Sequence, residues 1–255
     1  MVDAGISGNS AIALGNVLGS NIANIGLILG LAVLVRPLVA KGAFLSRDLP
    51  FVMIVSVLLP MAWLAGLGRG LAVVLLAAMA AYMWVLYRAN EVPQVVEGAF
   101  EQASSRGRLR SLLEVAIAMA LLIGGAKVLV DAAVDVALDF GISERVIGLT
   151  VVAFGTSLPE LAGCLAAVAK RQGDIVLGNI IGSNIFNTLF VLPIGLLVRP
   201  IGASTADWID MGVVVAFTGL VFVFLFHRSR MYRFEGAVLL VLYGAYVAHL
   251  FLQPG

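Results

Sequence analysis

Hydroxyls, side-chain amides and one carboxylate stand in this sequence where an apolar helix ordinarily has none. In GTSLPE, Gly155 to Glu160, Thr156 lies four residues before Glu160 and Ser157 three, so a helical turn puts both hydroxyls on the carboxylate's face. Pro159 has no amide hydrogen and strains the turn before it, while Gly155 tolerates unusual dihedrals, so the helix is expected to open here and offer backbone carbonyls, that of Ala153 among them. In GNIIGSNIFN, Gly178 to Asn187, Ser183 and Asn187 share a face, as do Ser20 and Asn24 in the related segment GNVLGSNIAN near the start. All are hard oxygen donors, suited to Na⁺ or Ca²⁺ and unsuited to zinc or copper. Gly15 with Gly19 and Gly178 with Gly182 form small-xxx-small faces expected to let the broken helices pack closely, while hydroxyls and amides in apolar helices often bond only to neighbouring helices. Glu160 resists that reading, because a charge in mid-bilayer costs at least about 2.5 kcal/mol and so marks a functional position.

The elements that hold these residues must cross a membrane. With 61% hydrophobic residues, 12% charged residues and a mean hydropathy of +1.06, 255 residues lack the polar surface of a soluble domain. Runs of about 20 apolar residues give eight spans, near 12–34, 49–67, 69–87, 111–137, 145–169, 174–198, 208–226 and 233–252. Each must be a helix, since lipid leaves backbone groups no other partner. One long polar stretch, 88–110, is expected to be a linker between a first half, 1–87, and a second half, 111–255. The basic residues are scattered in short loops, which gives no footprint for nucleic acid. Cys164 is the single cysteine and reads as a small core residue. No basic-then-apolar leader pattern, GxGxxG or P-loop is seen, so neither a resident cofactor nor ATP drive is indicated.

Charge and repetition set the topology. Twelve Lys and Arg residues fall in loops on one side and three, Arg69, Arg145 and Arg199, on the other, which puts 88–110 in the cytoplasm and both termini outside. Residues 14–38 align without a gap to 177–201 at a constant offset of 163. Those copies lie five crossings apart, so they run in opposite directions, and a duplicated, inverted pair of polar-bearing spans is the sign of a secondary transporter. The expected fold is all-α and polytopic, an inverted-repeat architecture with eight of ten helices in this chain. The second unit is complete; the counterpart of Glu160 falls just ahead of Met1, so two further helices of the first unit, roughly fifty residues, are expected upstream as repeat symmetry implies. An open groove is accordingly expected beside 12–34, with Asn24 and Asn187 facing each other near mid-depth.

The segments GISERVIGLTVVAFGTSLPEL, Gly141 to Leu161, and GDIVLGNIIGSNIFN, Gly173 to Asn187, closely resemble the second alpha repeat of the sodium/calcium exchangers of the calcium/cation antiporter superfamily. Residues 14–38 resemble the second half of the first alpha repeat. The resemblance implies Ca²⁺ for Na⁺ antiport by alternating access in a prokaryotic plasma (inner) membrane, with the transported ions as ligands and no enzyme activity. Glu160 would be the carboxylate shared by the two ions, with Thr156, Ser157 and the Ala153 carbonyl beside it and Ser183, Asn187, Ser20 and Asn24 completing the cage. Two features depart from the family pattern: Asn187 stands where some members carry Asp, and the first repeat's own GTSxPE has no counterpart in these residues.

Three alternatives stand beside this reading. Coupling to H⁺ would use Glu160 as the titrating group, and a flux assay with and without a sodium gradient separates it. A non-transporting membrane scaffold would bind no Ca²⁺. An intramembrane hydrolase has little support, since Glu160 has no His or second acid with it.

Overall fold

The computed structural model describes residues 10–64, 68–89, 108–198 and 205–252, and the following concerns those residues. Nine helices are seen. Helix α1 covers 10–35 as Ser10–Ala23, a π-turn at Asn24–Leu29 and Gly30–Val35. Helix α2 covers 44–64, opening with a π-turn at Phe44–Asp48 before Leu49–Leu64, and α3 is Arg69–Arg88. Helix α4, Arg108–Asp139, is the longest at 32 residues. Helix α5 covers 144–156 with a π-turn at Gly148–Val152, and α6 is Leu158–Ala169. Helix α7 covers 173–198 as Gly173–Phe186, a π-turn at Asn187–Val191 and Leu192–Val198. Helices α8, Thr205–Arg228, and α9, Arg233–Leu252, close the chain.

Seven helices are long and apolar enough to cross a membrane, and eight if α5 and α6, bent by 45° at their junction, count as one span. This agrees with the eight expected spans. The 88–110 linker falls mostly outside the described residues, since 90–107 are not among them.

Helix α1 occupies the middle. Its Leu18, Ile22, Ile25 and Leu29 are fully buried, because α5, α7, α8 and α9 all pack on it. The pairing pattern obeys a pseudo-two-fold: α1 packs on α9 as α7 packs on α3, and α2 packs on α8, its own counterpart. Ser56 of α2 and Thr218 of α8 share a hydrogen bond of 3.2 Å at that crossing. Both repeats also place a π-turn at the same point, opening at Asn24 and at Asn187, 163 residues on.

The expected open groove beside α1 is not what the described residues show, since 83% of the residues in its apolar window are buried. The open face belongs to α7 instead. A Cβ at Gly15 would lie 3.3 Å from the Leu149 amide nitrogen and one at Gly19 2.5 Å from the Leu149 carbonyl oxygen, so these glycines let α5 approach α1 to backbone contact. Their counterparts Gly178 and Gly182 have nothing within 4 Å. The expectation that all four glycines serve close packing therefore holds for the first pair only, because the fold puts α5 on one repeat's small face and no described helix on the other's.

On the face where the α1, α6 and α8 chain ends lie, Leu38–Val39 (β1) pairs antiparallel with Arg230–Met231 (β2), matching Leu38 to Met231 and Val39 to Arg230. Gly173, at the start of α7, lies against Leu38. Four basic loops expected on one side thus include three that touch one another directly, those after α1, α6 and α8.

Candidate ion site

The site is built where α1, α7 and the α5–α6 bend meet. Ser157 has φ −93 and ψ 3, outside the helical wells on either side, and Pro159, at the start of α6, has no amide to give the Gly155 carbonyl. The bend sits deep because Gly155 has no side chain: a Cβ there would lie 1.8 Å from Val130 Cγ2 of α4. One consequence differs from the expectation of a single helical face. The bend turns Thr156 toward α1 and Glu160 toward α7, while Ser157 is buried at the apex. A second difference concerns Ala153, whose carbonyl is not released by the break. The Ser157 amide still reaches it at 3.2 Å, and the Thr156 and Ser20 hydroxyl oxygens lie 3.1 and 3.4 Å from it.

Three polar groups of residues follow one another along the α1–α7 crossing. In the first, Ser20 and Thr156 share a hydrogen bond of 3.0 Å and Thr156 donates to Asn16 Oδ1 at 2.9 Å. In the second, Asn24 Nδ2 donates to Asn184 Oδ1 at 3.0 Å and Asn187 Nδ2 donates to Asn21 Oδ1 at 3.1 Å. In the third, Ser183 donates to Glu160 Oε1 at 3.3 Å, and Asn179 Nδ2 reaches the Glu160 carbonyl at 3.4 Å and Cys164 Sγ at 3.3 Å.

The two crossed amide pairs carry the topology in themselves. Position 21 meets 187 and position 24 meets 184, the pattern of an antiparallel crossing; parallel helices would match 21 with 184 and 24 with 187. The expectation that Asn24 faces Asn187 is corrected on this point: each faces the other's upstream neighbour, because the pseudo-axis passes between the pairs. Symmetry breaks only at Thr188, which accepts from Asn21 Nδ2 at 2.9 Å while donating to the Asn184 carbonyl at 2.9 Å; its counterpart is Ile25, which can do neither.

Of the eight residues read from the sequence, Ser20, Thr156 and the Ala153 carbonyl come together, Glu160 and Ser183 form a second contact, Asn24 and Asn187 enter the crossed amides, and Ser157 lies at the bend. Asn16, Asn21, Asn179, Asn184 and Thr188 are additional members. The signal for four of them was present, since Asn recurs at matching positions of both repeats, 16 with 179 and 21 with 184.

Electrostatically the cluster is spare. Glu160 is its one carboxylate among the described residues; its Oε2 is buried without a hydrogen-bond donor from them, and so is Asn24 Oδ1. A buried acceptor without a donor is costly, most of all on an ionised group. Both atoms are hard oxygen donors, of the kind that Na⁺ or Ca²⁺ takes.

A bundle of membrane-spanning helices in two inverted repeats, with broken helices meeting at polar residues at the crossing, defines a secondary transporter. The family model described as sodium/calcium exchanger protein matches residues 2–88 and 110–252. The chain is 30% identical to the sodium/calcium exchanger MaX1 of Methanosarcina acetivorans over 291 aligned positions, covering 98% of this chain and 83% of that protein. It is 40% identical to the inner membrane protein YrbG of Escherichia coli over 200 positions, 74% of this chain and 61% of that one. The fold matches a solved structure of the sodium-calcium exchanger NCX_Mj with a TM-score of 0.79 at 31% identity, covering 98% of this chain and 80% of that one. The chain belongs to the sodium/calcium exchanger family. It is a membrane transporter of cations by antiport at the level of that family, and not an enzyme.

Proposed function

We propose that this protein exchanges Ca²⁺ for Na⁺ by alternating access at the α1–α7 crossing, with Glu160 as the carboxylate the two ions share. Ser20 with Asn24 and Ser183 with Asn187 supply neutral oxygens in the two inverted sets that the repeat produces, and Thr156 and Ser157 add hydroxyls from the α5–α6 bend. The observation that carries the reading is the Glu160 Oε2 atom, buried in the polar crossing with no donor from the described residues. A carboxylate oxygen held in that way gains most from a cation, which offsets its lost hydration by direct coordination. Sequential occupancy by either ion at one carboxylate couples their movements, because each can leave only when the other, or an equivalent charge, replaces it. The exchangers MaX1 and NCX_Mj, similar to this chain along nearly its whole length, support the choice of Na⁺ and Ca²⁺.

The test is uptake of radioactive Ca²⁺ into proteoliposomes loaded with Na⁺. Uptake should require the outward Na⁺ gradient and stop when that gradient is collapsed. Uptake that persists without a Na⁺ gradient and follows an imposed pH gradient would replace Na⁺ with H⁺ as the coupling ion.

A further inference from the structure

The membrane-edge surface where α1 and α6 end and α9 begins holds a second feature, distinct from the ion site. Two adjoining depressions of about 270 and 660 Å³ share Arg36, Pro37, Val168 and Arg171 as a common wall. Lys41 borders the smaller and Arg233 the larger. Four cations from three separate chain segments thus surround one basin, and Asp174 is the one carboxylate among its described lining residues. None of the four cations makes an ion pair among the described residues; Arg233 only donates to the Val35 carbonyl, at 3.4 Å. Counting charges in loops accounts for basic residues on this side of the protein but not for their convergence on one hollow.

Arg171 adds an independent sign. The α6 helix ends in a Schellman turn, with the Gln172 amide on the Ala167 carbonyl at 2.9 Å and the Arg171 amide on the Val168 carbonyl at 3.1 Å. The residue in the left-handed position of that turn is Arg171 itself, at φ 63. Glycine is the usual occupant there because a Cβ is strained. A strained position that nonetheless carries a long cation into a hollow points to a use for the guanidinium. Beside the cations lie apolar side chains: Val35, which lines the larger depression, is 52% exposed, and Leu34 next to it 39%. A cationic rim bordered by apolar helix ends matches an amphiphile rather than a free anion.

We propose that this basin is a binding site for an anionic phospholipid, its phosphate held by Arg36, Arg171 and Arg233 with Lys41 at the margin, and its acyl chains descending along Leu34 and Val35. The site joins the α6–α7 turn to the end of α1, so a bound lipid braces the two segments that the packing of Gly173 on Leu38 already brings close.

The experiment uses the whole chain in nanodiscs of phosphatidylcholine with increasing phosphatidylglycerol, read by lipid retention in native mass spectrometry and by thermal unfolding. Phosphatidylglycerol should be retained and raise the midpoint, with retention roughly fivefold weaker for each cation removed, as expected of a basic residue at an anionic surface. Combined substitution of Arg36, Arg171 and Arg233 by Gln should abolish the effect, and Arg69→Gln, outside the basin, should preserve it. Arg171→Gly secures the test against misfolding: it relieves the left-handed position, so it should keep or raise the midpoint in pure phosphatidylcholine while retaining phosphatidylglycerol roughly fivefold more weakly. Equal effects of the two lipids, displacement of the lipid by inorganic phosphate, or unchanged retention in Arg171→Gly would each overturn the proposal.

Discussion

Gly19→Ala and Gly182→Ala make the same chemical change at the two positions related by the repeat, in the same local sequence, GSN, and the structure requires opposite results. At Gly19 the new methyl would lie 2.5 Å from the Leu149 carbonyl oxygen, 2.7 Å from Ala153 Cβ and 2.8 Å from Leu149 Cα. Carbon contacts settle near 3.5–4.0 Å, so α1 and α5 must part by about 1 Å. The Ser20 to Ala153 carbonyl contact, already at 3.4 Å, is then lost, and the 3.0 Å contact to Thr156 is stretched beyond hydrogen-bond range. Overpacking of this kind costs roughly 1–3 kcal/mol, against which alanine's better helix propensity returns up to about 1 kcal/mol. A net loss of about 1–2 kcal/mol corresponds to a fall of roughly 2–8 °C in the thermal midpoint for a chain of this size. Gly182→Ala meets nothing within 4 Å and should hold or raise the midpoint. The pair is compared by thermal unfolding of purified protein, followed by cation uptake, in which Gly19→Ala should be impaired and Gly182→Ala should resemble the wild type. Equal shifts in the two variants would refute the unequal packing of the two small faces.

Glu160→Gln keeps the size of the side chain but removes the charge that offsets ion dehydration, so Na⁺-driven Ca²⁺ uptake should be abolished with the thermal midpoint held or raised; uptake at the wild-type rate would remove Glu160 from the site. Asn184→Ala strands the Asn24 amide and the Asn21 carbonyl and should cost about 2–4 kcal/mol, read as a lowered unfolding midpoint, and an unchanged midpoint would contradict the crossed pairing. Asp210→Asn weakens the buried contact in which Arg145 meets Asp210 and Tyr246 donates to the same carboxylate at 2.9 Å, so a loss of roughly 2–5 kcal/mol is expected, whereas a stable variant would show the pair to be dispensable. A cysteine at Gln172, on the basic side, should resist a membrane-impermeant thiol reagent applied to intact cells, and labelling from outside would reverse the topology.

The spans, the bend and the inverted repeat were legible in the sequence because each leaves a compositional mark: apolar runs long enough to cross lipid, a Gly and Pro within one of them, and a constant offset between copies. The π-turns at Asn24 and Asn187 leave no such mark, since they alter hydrogen-bond spacing without a characteristic residue. Asn24 was correctly directed at the other repeat but matched to the wrong asparagine. A sequence offset identifies counterparts, whereas an antiparallel crossing joins each residue to its counterpart's neighbour. Arg145 was legible only as a loop charge, because its partners Asp207 and Asp210 are more than sixty residues away and only the packing of both α5 and α8 on α1 brings them together. The open face at Gly178 and Gly182 was hidden for a similar reason: a small-residue spacing states what could approach, and the tertiary fold decides what does.

The crossed asparagines also limit the motions available to the molecule. Sliding α1 along α7 by one residue would break both amide pairs at once and leave four polar groups in an apolar interior, so the crossing resists translation of one helix along the other. The described side-chain contacts of α6 with α7 are longer, a hydroxyl contact at 3.3 Å and two amide contacts at 3.3 and 3.4 Å, and all lie in its first two turns, close to the bend at Ser157. On the proposed function, a cation bound across Glu160 and Ser183 would tie the start of α6 to α7 more firmly than these long contacts do.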